Sequence, residues 1–183
     1  MKIKKIVIVG GGTAGWLTAH QFLNKSSPFL KVTVISAPDI PIIGVGESTT
    51  GLFRDLINLP NNRTFLDEKS FLKETESTFK LGIKHSDWHT PGKHFYSPLG
   101  DEYSNKYLYP HKDYDNFRIF HVAEQLDYSE TFQSQLMHHG RMHIGPSHNF
   151  DNAFNFAYHL DTYKVGQYLR ERALRVKEQC THI

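Results

Sequence analysis

Apolar and polar positions alternate in blocks that read as a β-α-β start. A short apolar run, Ile6 to Val9, ends in glycines, and a helical pattern follows. The spacing predicts a strand over Lys4–Val9 and a helix over Ala14–Asn24, broken by Ser26, Ser27 and Pro28. Lys31–Ile35 is β-branched and reads as a second, parallel strand. It completes a unit of about thirty residues. Further on, a helix is expected over Gly51–Ile57, with Ser48, Thr49 or Thr50 placed to cap it. Arg63–Thr75 reads as helical, with Phe65, Leu66, Phe71 and Leu72 apolar and Asp67 and Glu68 set against Lys69 and Lys73.

From Thr78 to His85 the period changes to two. Phe79, Leu81, Ile83 and His85 fall on one face of a strand, and Thr78, Lys80, Gly82 and Lys84 on the other. His89–Tyr114 reads as loops with short strands, and Phe117–Glu130 and Thr131–His139 as partly helical. Asp161–Gln179 is a clear helix. Its apolar stripe is Val165, Leu169, Ala173 and Val176, its wet side Arg170, Arg172, Arg175 and Lys177, and its cap Asp161. The last residues, Thr-His-Ile after Cys180, read as the start of another strand.

The first turn carries the chemistry. Gly10, Gly12 and Gly15 fit G-x-G-x-x-G between a strand and a helix, the context of a dinucleotide site. Gly10 allows the sharp turn, Gly12 lets the backbone approach a pyrophosphate, and Gly15 lets the helix pack on the strand. The helix N-terminus offers N–H groups and a positive dipole end. The alternative is a glycine-rich turn with no ligand. A carboxylate usually follows the second strand to hold ribose hydroxyls. Here Ser36, Ala37 and Pro38 stand there, and Asp39 comes late. Either the affinity for the cofactor is modest or another group supplies the contact.

Asp39–Thr50 mixes apolar residues with Gly44 and Gly46, as expected for an extended segment against another backbone or a flat ligand. On its residues alone Glu47 reads first as a surface carboxylate near a helix start. Lys80 and Lys84 flank Gly82, which leaves a gap on their face. A solvated strand face and a functional lysine are both open readings. Trp88 either walls a pocket or packs.

Composition narrows the classes. At 183 residues and a net charge of +2, one domain is expected, and no basic patch points to nucleic acid. Thirteen Phe and nine Tyr argue for a packed protein. A single cysteine, Cys180, excludes an internal disulfide and a Cys-x-x-Cys pair. No segment has the form of a signal peptide or a membrane span, so a soluble, cytoplasmic protein is expected. His138, His139, His143 and His148 match no zinc spacing and read as loop or surface histidines, so no metal is expected.

Four stretches resemble the flavin-dependent tryptophan halogenases. They are Gly-Gly-Gly-Thr-Ala-Gly-Trp at 10–16, Ile-Pro-x-Ile-Gly-Val-Gly-Glu-Ser-Thr at 40–49, Phe-Lys-x-Gly-Ile-Lys at 79–84 with Trp88, and Ala-Tyr-His-Leu-Asp at 157–161. They occur in the family's order and at similar spacing, and they cover nearly the whole chain. The resemblance implies an α/β, Rossmann-like FAD/NAD(P)-binding domain of the glutathione-reductase type, incomplete, with helical and loop-rich insertions. It spans 1–183 with no second domain.

By the same resemblance, Gly10, Gly12, Thr13, Ala14 and Gly15 hold the FAD pyrophosphate. Ser36 stands where the family usually has glutamate. Ala37 to Glu47, including Ile40, Ile43 and Val45, forms a mobile strap along the flavin. Lys80 matches the catalytic lysine. In such enzymes reduced FAD, supplied by a separate flavin reductase, reacts with oxygen and then halide. The hypohalous acid formed reaches the lysine, and an electron-rich ring, usually an indole, is halogenated with chloride or bromide.

The family's Trp-rich signature, halide site and substrate-activating glutamate find no match here, so an N-terminal portion is expected. Two alternatives stand beside this. One is a flavin monooxygenase or oxidase of the same fold, which needs no Lys80. The other is a truncated flavin-binding fragment without turnover.

Overall fold

Strand β1 (Lys5–Val9) and strand β2 (Lys31–Ile35) pair in parallel, from Lys5↔Lys31 to Val9↔Ile35. Helix α1 (Thr13–Lys25) joins them. In this computed structural model the described residues are 3–40, 44, 46–58, 63–88, 90–99, 132–142, 156–176 and 178–183. Ile43, Val45, His143, His148, the segment 117–130 and most of 89–114 lie outside them.

The chain divides into two units, Met1–Thr78 with Tyr158–Ile183, and Phe79–Ala157. In the first, β3 (Gly46–Ser48), α2 (Gly51–Ile57) and α3 (Glu68–Thr75) follow β2. Then β7 (Ala157–Asp161), whose first residue falls in the second unit, α5 (Thr162–Leu174) and β8 (Cys180–His182) close the unit. Of the three final residues expected to open a strand, Thr181 and His182 lie in β8, which starts at Cys180 and pairs in parallel with β2, Val32↔Cys180 to Val34↔His182. The sheet order is β1-β2-β8.

The register puts Ile6, Ile8, Val32, Val34, Cys180 and His182 on one face. Against the sheet lies α1, through Trp16, Ala19 and Leu23; Val165, Leu169 and Ala173 of α5 complete the core. His20 of α1 bonds the Leu169 carbonyl of α5 through Nε2 at 2.8 Å. On the opposite face, Val7 and Val9 are 59% and 84% exposed.

Helix α5 begins where expected, with the Asp161 carboxylate accepting from the N–H groups of Tyr163 (2.8 Å) and Lys164 (3.1 Å). It ends at Leu174, earlier than the spacing predicts. The chain then turns through Val176, whose carbonyl accepts from Gln179 and Cys180. Arg172 does not belong to the wet side. It is 5% exposed, stacks on the Tyr168 ring and pairs with Glu74.

The helical reading of Arg63–Thr75 is corrected at its start. Phe65 takes a left-handed φ of 59°, and the N–H groups of Arg63 and Thr64 donate to Asn24 Oδ1. The helix begins only after Asp67, whose carboxylate caps it by accepting from the Ser70 N–H at 2.8 Å. Glu68 then pairs with Arg54 at 3.5 Å and accepts from the Tyr158 hydroxyl.

In the second unit, β4 (Thr78–Lys80), whose first residue falls in the first unit, is followed by β5 (Gly82–Ser86), β6 (His94–Pro98) and α4 (Phe132–His138). The single strand expected over Thr78–His85 is broken at Leu81, which is buried and whose carbonyl accepts from the Leu99 N–H at 2.8 Å. Strands β5 and β6 form an antiparallel hairpin, Gly82↔Pro98 to Ser86↔His94.

Candidate functional site: the glycine turn and the end of the second strand

Where β1 ends, Gly10 takes a φ of +120°, a conformation that side chains other than glycine rarely adopt. Its N–H donates to the Ile35 carbonyl at 2.8 Å, which ties the turn to the end of β2. Gly12 occupies the N-cap position of α1, and no side chain caps it. The first intrahelical bond runs from the Trp16 N–H to the Gly12 carbonyl, 3.1 Å. The N–H groups of Thr13, Ala14 and Gly15 therefore lie ahead of the intrahelical ladder. No acidic residue stands in the first turn of α1. The Thr13 hydroxyl donates to the Thr162 carbonyl at 3.5 Å.

These features fit a dinucleotide pyrophosphate. A Cβ at Gly12 would meet nothing within 4 Å, which leaves room there for a ligand. A Cβ at Gly15 would lie 1.9 Å from the Gly10 carbonyl oxygen, so Gly15 serves the close approach of helix to turn.

Ser36 follows β2 beside this turn. A Cβ at Gly11 would lie 2.5 Å from the Ser36 Cβ. Its N–H donates to the Ile183 carbonyl at 2.9 Å, and its Oγ lies 2.7 Å from His182 Nε2. Arg170 Nε donates to the other ring nitrogen of His182 at 3.3 Å. The Trp16 ring packs edge-on against the same imidazole, 5.2 Å between centroids. Burial, then the Arg170 charge, hold His182 below its ordinary pKa. In the sequence Arg170 reads only as part of the wet side of its helix, and His182 carries no motif. The signal available was the alternation of Cys180-Thr-His182, which puts His182 on the same face as Val34 once β8 is placed beside β2.

Ala37 and Ile40 are exposed. Ile43 and Val45 lie outside the described residues. Glu47 is exposed on β3, paired with Leu160 of β7. No threonine side chain caps α2. Thr50 holds the N-cap position without a side-chain bond, and Thr49 Oγ1 instead accepts from the Tyr158 N–H at 3.1 Å.

Lys80 lies in the second unit, half-buried at the end of β4. The gap expected at Gly82 is filled. A Cβ there would meet the Ser97 carbonyl oxygen at 2.5 Å, Met137 Sδ at 2.8 Å and Pro98 Cα at 2.8 Å. Lys84 pairs across the hairpin with Tyr96, its Nζ 5.9 Å from the ring centroid. Trp88 is 77% exposed and touches His85 edge-on. His138 is close to the Tyr96 hydroxyl, 3.2 Å from Nδ1. Among the described residues no three His, Cys, Asp or Glu side chains gather as a metal site, and no helix is long and apolar enough to cross a membrane.

A parallel sheet, a glycine turn with positive φ and an uncapped following helix define a Rossmann-like dinucleotide-binding α/β fold. The tryptophan halogenase family model matches residues 5–180, and the chain belongs to that family. It is 29% identical to tryptophan 6-halogenase ThaL of Streptomyces albogriseolus over 210 aligned positions, covering 100% of this chain and 36% of that one. It is 29% identical to tryptophan 7-halogenase RebH of Lentzea aerocolonigenes, covering 94% of this chain and 34% of that one. The solved structure of Xcc4156, a flavin-dependent halogenase from Xanthomonas campestris, superposes with a TM-score of 0.75 at 25% identity, over 100% of this chain and 35% of that one. The chain thus spans about a third of the length of these relatives.

Proposed function

We propose that this chain is the flavin-binding portion of an FAD-dependent halogenase acting on an indole or a similar electron-rich ring. The observation that carries this reading is the Gly10–Gly15 turn, open at Gly12 and followed by an uncapped helix, in a chain matched over 5–180 by the tryptophan halogenase family. Gly10, Gly12 and the N–H groups of Thr13, Ala14 and Gly15 would hold the FAD pyrophosphate. Ser36 would meet the adenosine side. Ala37, Ile40, Ile43, Val45 and Glu47 would belong to the strap along the flavin. Reduced FAD, delivered by a flavin reductase, supplies with oxygen the two-electron oxidation that turns chloride or bromide into hypohalous acid.

Lys80 is the residue for the halogenation step. Its ammonium donates a hydrogen bond to the hypohalous oxygen and makes the halogen more electrophilic. The carbon–halogen bond forms as the oxygen–halogen bond breaks, and the ring proton leaves with the oxygen as water.

The test uses the protein in the form its natural host produces, supplied with FAD, a reductase, oxygen, chloride or bromide, and a panel of indoles. Halogenated product is expected, and Lys80→Ala should abolish it while FAD binding persists. Halogenation that survives in Lys80→Ala would overturn the role of that residue. Oxygenated product formed independently of halide would overturn the halogenase reading in favour of a monooxygenase.

A further inference from the structure

The end of β2 departs from the usual dinucleotide site in a way the structure makes specific. Where a carboxylate would hold the ribose, the contacts are a hydroxyl, an imidazole and a guanidinium: Ser36, His182 and Arg170.

Their geometry fixes the protons. Arg170 Nε–H can only donate, so His182 Nδ1 is the acceptor at 3.3 Å. The ring proton of the neutral imidazole is then on Nε2, and it donates to Ser36 Oγ at 2.7 Å. The depressed basicity of His182, from burial and then Arg170, agrees with this single tautomer. Ser36 therefore accepts from the protein, and its own hydroxyl proton is left to donate elsewhere. Gly11 lies hard against the Ser36 Cβ, which places that hydroxyl beside the glycine turn.

We propose that His182, oriented by Arg170, is a positioning residue that aims the Ser36 hydroxyl at the ribose of an adenine dinucleotide. This triad, in which the group facing the ribose is a neutral hydroxyl, thereby replaces the carboxylate found in other sites of this fold. This rests on the dinucleotide reading of the glycine turn and deepens it.

The test is equilibrium binding of ADP and 2′,3′-dideoxy-ADP, by calorimetry, to the protein in the form its natural host produces, with FAD binding followed in parallel by quenching of flavin fluorescence. The wild type should prefer ADP by about fivefold, the effect of one neutral hydrogen bond. Ser36→Ala and His182→Leu should each erase that preference, and the double variant should bind ADP no more weakly than Ser36→Ala. His182→Gln, which keeps an N–H donor, should restore part of it. Because His182 also packs on Trp16, Arg170→Met provides a variant at an exposed position, and it should lower the preference with the melting temperature unchanged.

Equal binding of the two nucleotides by the wild type would overturn the proposal while leaving the dinucleotide site standing. So would a full preference retained in His182→Leu. Binding of neither ADP nor FAD by the wild type would overturn the dinucleotide reading itself, and this proposal with it.

Discussion

Gly15 sits against Gly10: a Cβ on Gly15 would lie 1.9 Å from the Gly10 carbonyl oxygen and 3.7 Å from Ile8 Cγ2. The start of α1 is thus in backbone contact with the turn after β1, and nothing flexible is there to yield. Gly12 is the opposite case, with open space where its Cβ would be. The two glycines of one motif should therefore separate in experiment. Gly15→Ala should destabilise the fold by about 1–3 kcal/mol through overpacking and lose FAD with it. Gly12→Ala should cost less than about 1 kcal/mol, since only the N-cap preference is disturbed, yet it should weaken FAD binding. Urea unfolding and flavin-fluorescence titration of both variants check this.

His20 carries a pH dependence whose sign follows from its burial. The ring is 1% exposed, its Nε2 bonds the Leu169 carbonyl and its Nδ1 has no partner among the described residues. Burial lowers its pKa from 6.5 to about 4, and the carbonyl bond opposes this only in part. The unfolded chain therefore binds a proton that the folded chain refuses. Stability from this group is present above about pH 6.5 and is lost as pH falls toward 4. Between pH 7 and pH 5 the loss is about 2 kcal/mol. Urea midpoints measured across that range should show the decline, and His20→Leu should flatten it.

The β1–α1–β2 unit was legible because each of its signals is local: an apolar run, glycines at fixed offsets, a β-branched run. A strand start was also legible after Cys180, and Thr181 and His182 of it lie in β8. Two of the misreadings have a different cause, partners far away in sequence. Arg63 and Thr64 fit a helical period, but Asn24 takes their N–H groups and a left-handed Phe65 delays the helix to Glu68. Thr49 is a fair capping residue by position, but Tyr158 of β7 claims its hydroxyl. In the site, the glycines could be placed from the motif alone. The partners of Ser36 could not, because they are set only when β8 lies beside β2.

Gly82 illustrates how a gap in a pattern can be a filled contact. Alternation put it between Lys80 and Lys84 as an opening, yet the Ser97 carbonyl, Pro98 Cα and Met137 Sδ close that space. Two of the three are backbone atoms and cannot swing away. Gly82→Ala should therefore act on the hairpin, costing about 1–3 kcal/mol. It should raise protease sensitivity at Ser86–His94 before it changes any ligand affinity. Limited proteolysis with mass mapping reads this out. Cleavage unchanged from wild type would mean that the hairpin shifts to accept the methyl group.

Arg172 ends up inside although its neighbours in sequence, Glu171 and Arg170, are exposed. Its guanidinium carbon lies 4.8 Å from the Tyr168 ring centroid, and its NH2 pairs with Glu74 of α3. The two partners differ in burial: the Arg172 side chain is 6% exposed and that of Glu74 is 41% exposed. Water therefore screens the carboxylate side of the pair, and the ion pair itself contributes little. The stem and plane of the arginine do more, by covering Tyr168 and the α3–α5 seam. Removing each partner should then have unequal effects. Glu74→Gln should cost less than about 1 kcal/mol, and Arg172→Ala about 2 kcal/mol from lost packing. Arg172→Lys should fall between them, because the ammonium keeps the charge but cannot stack as a plane on Tyr168. Urea unfolding of the three variants at low and high salt decides it. A large, salt-sensitive loss in Glu74→Gln would place the energy in the charge pair and not in the covered ring.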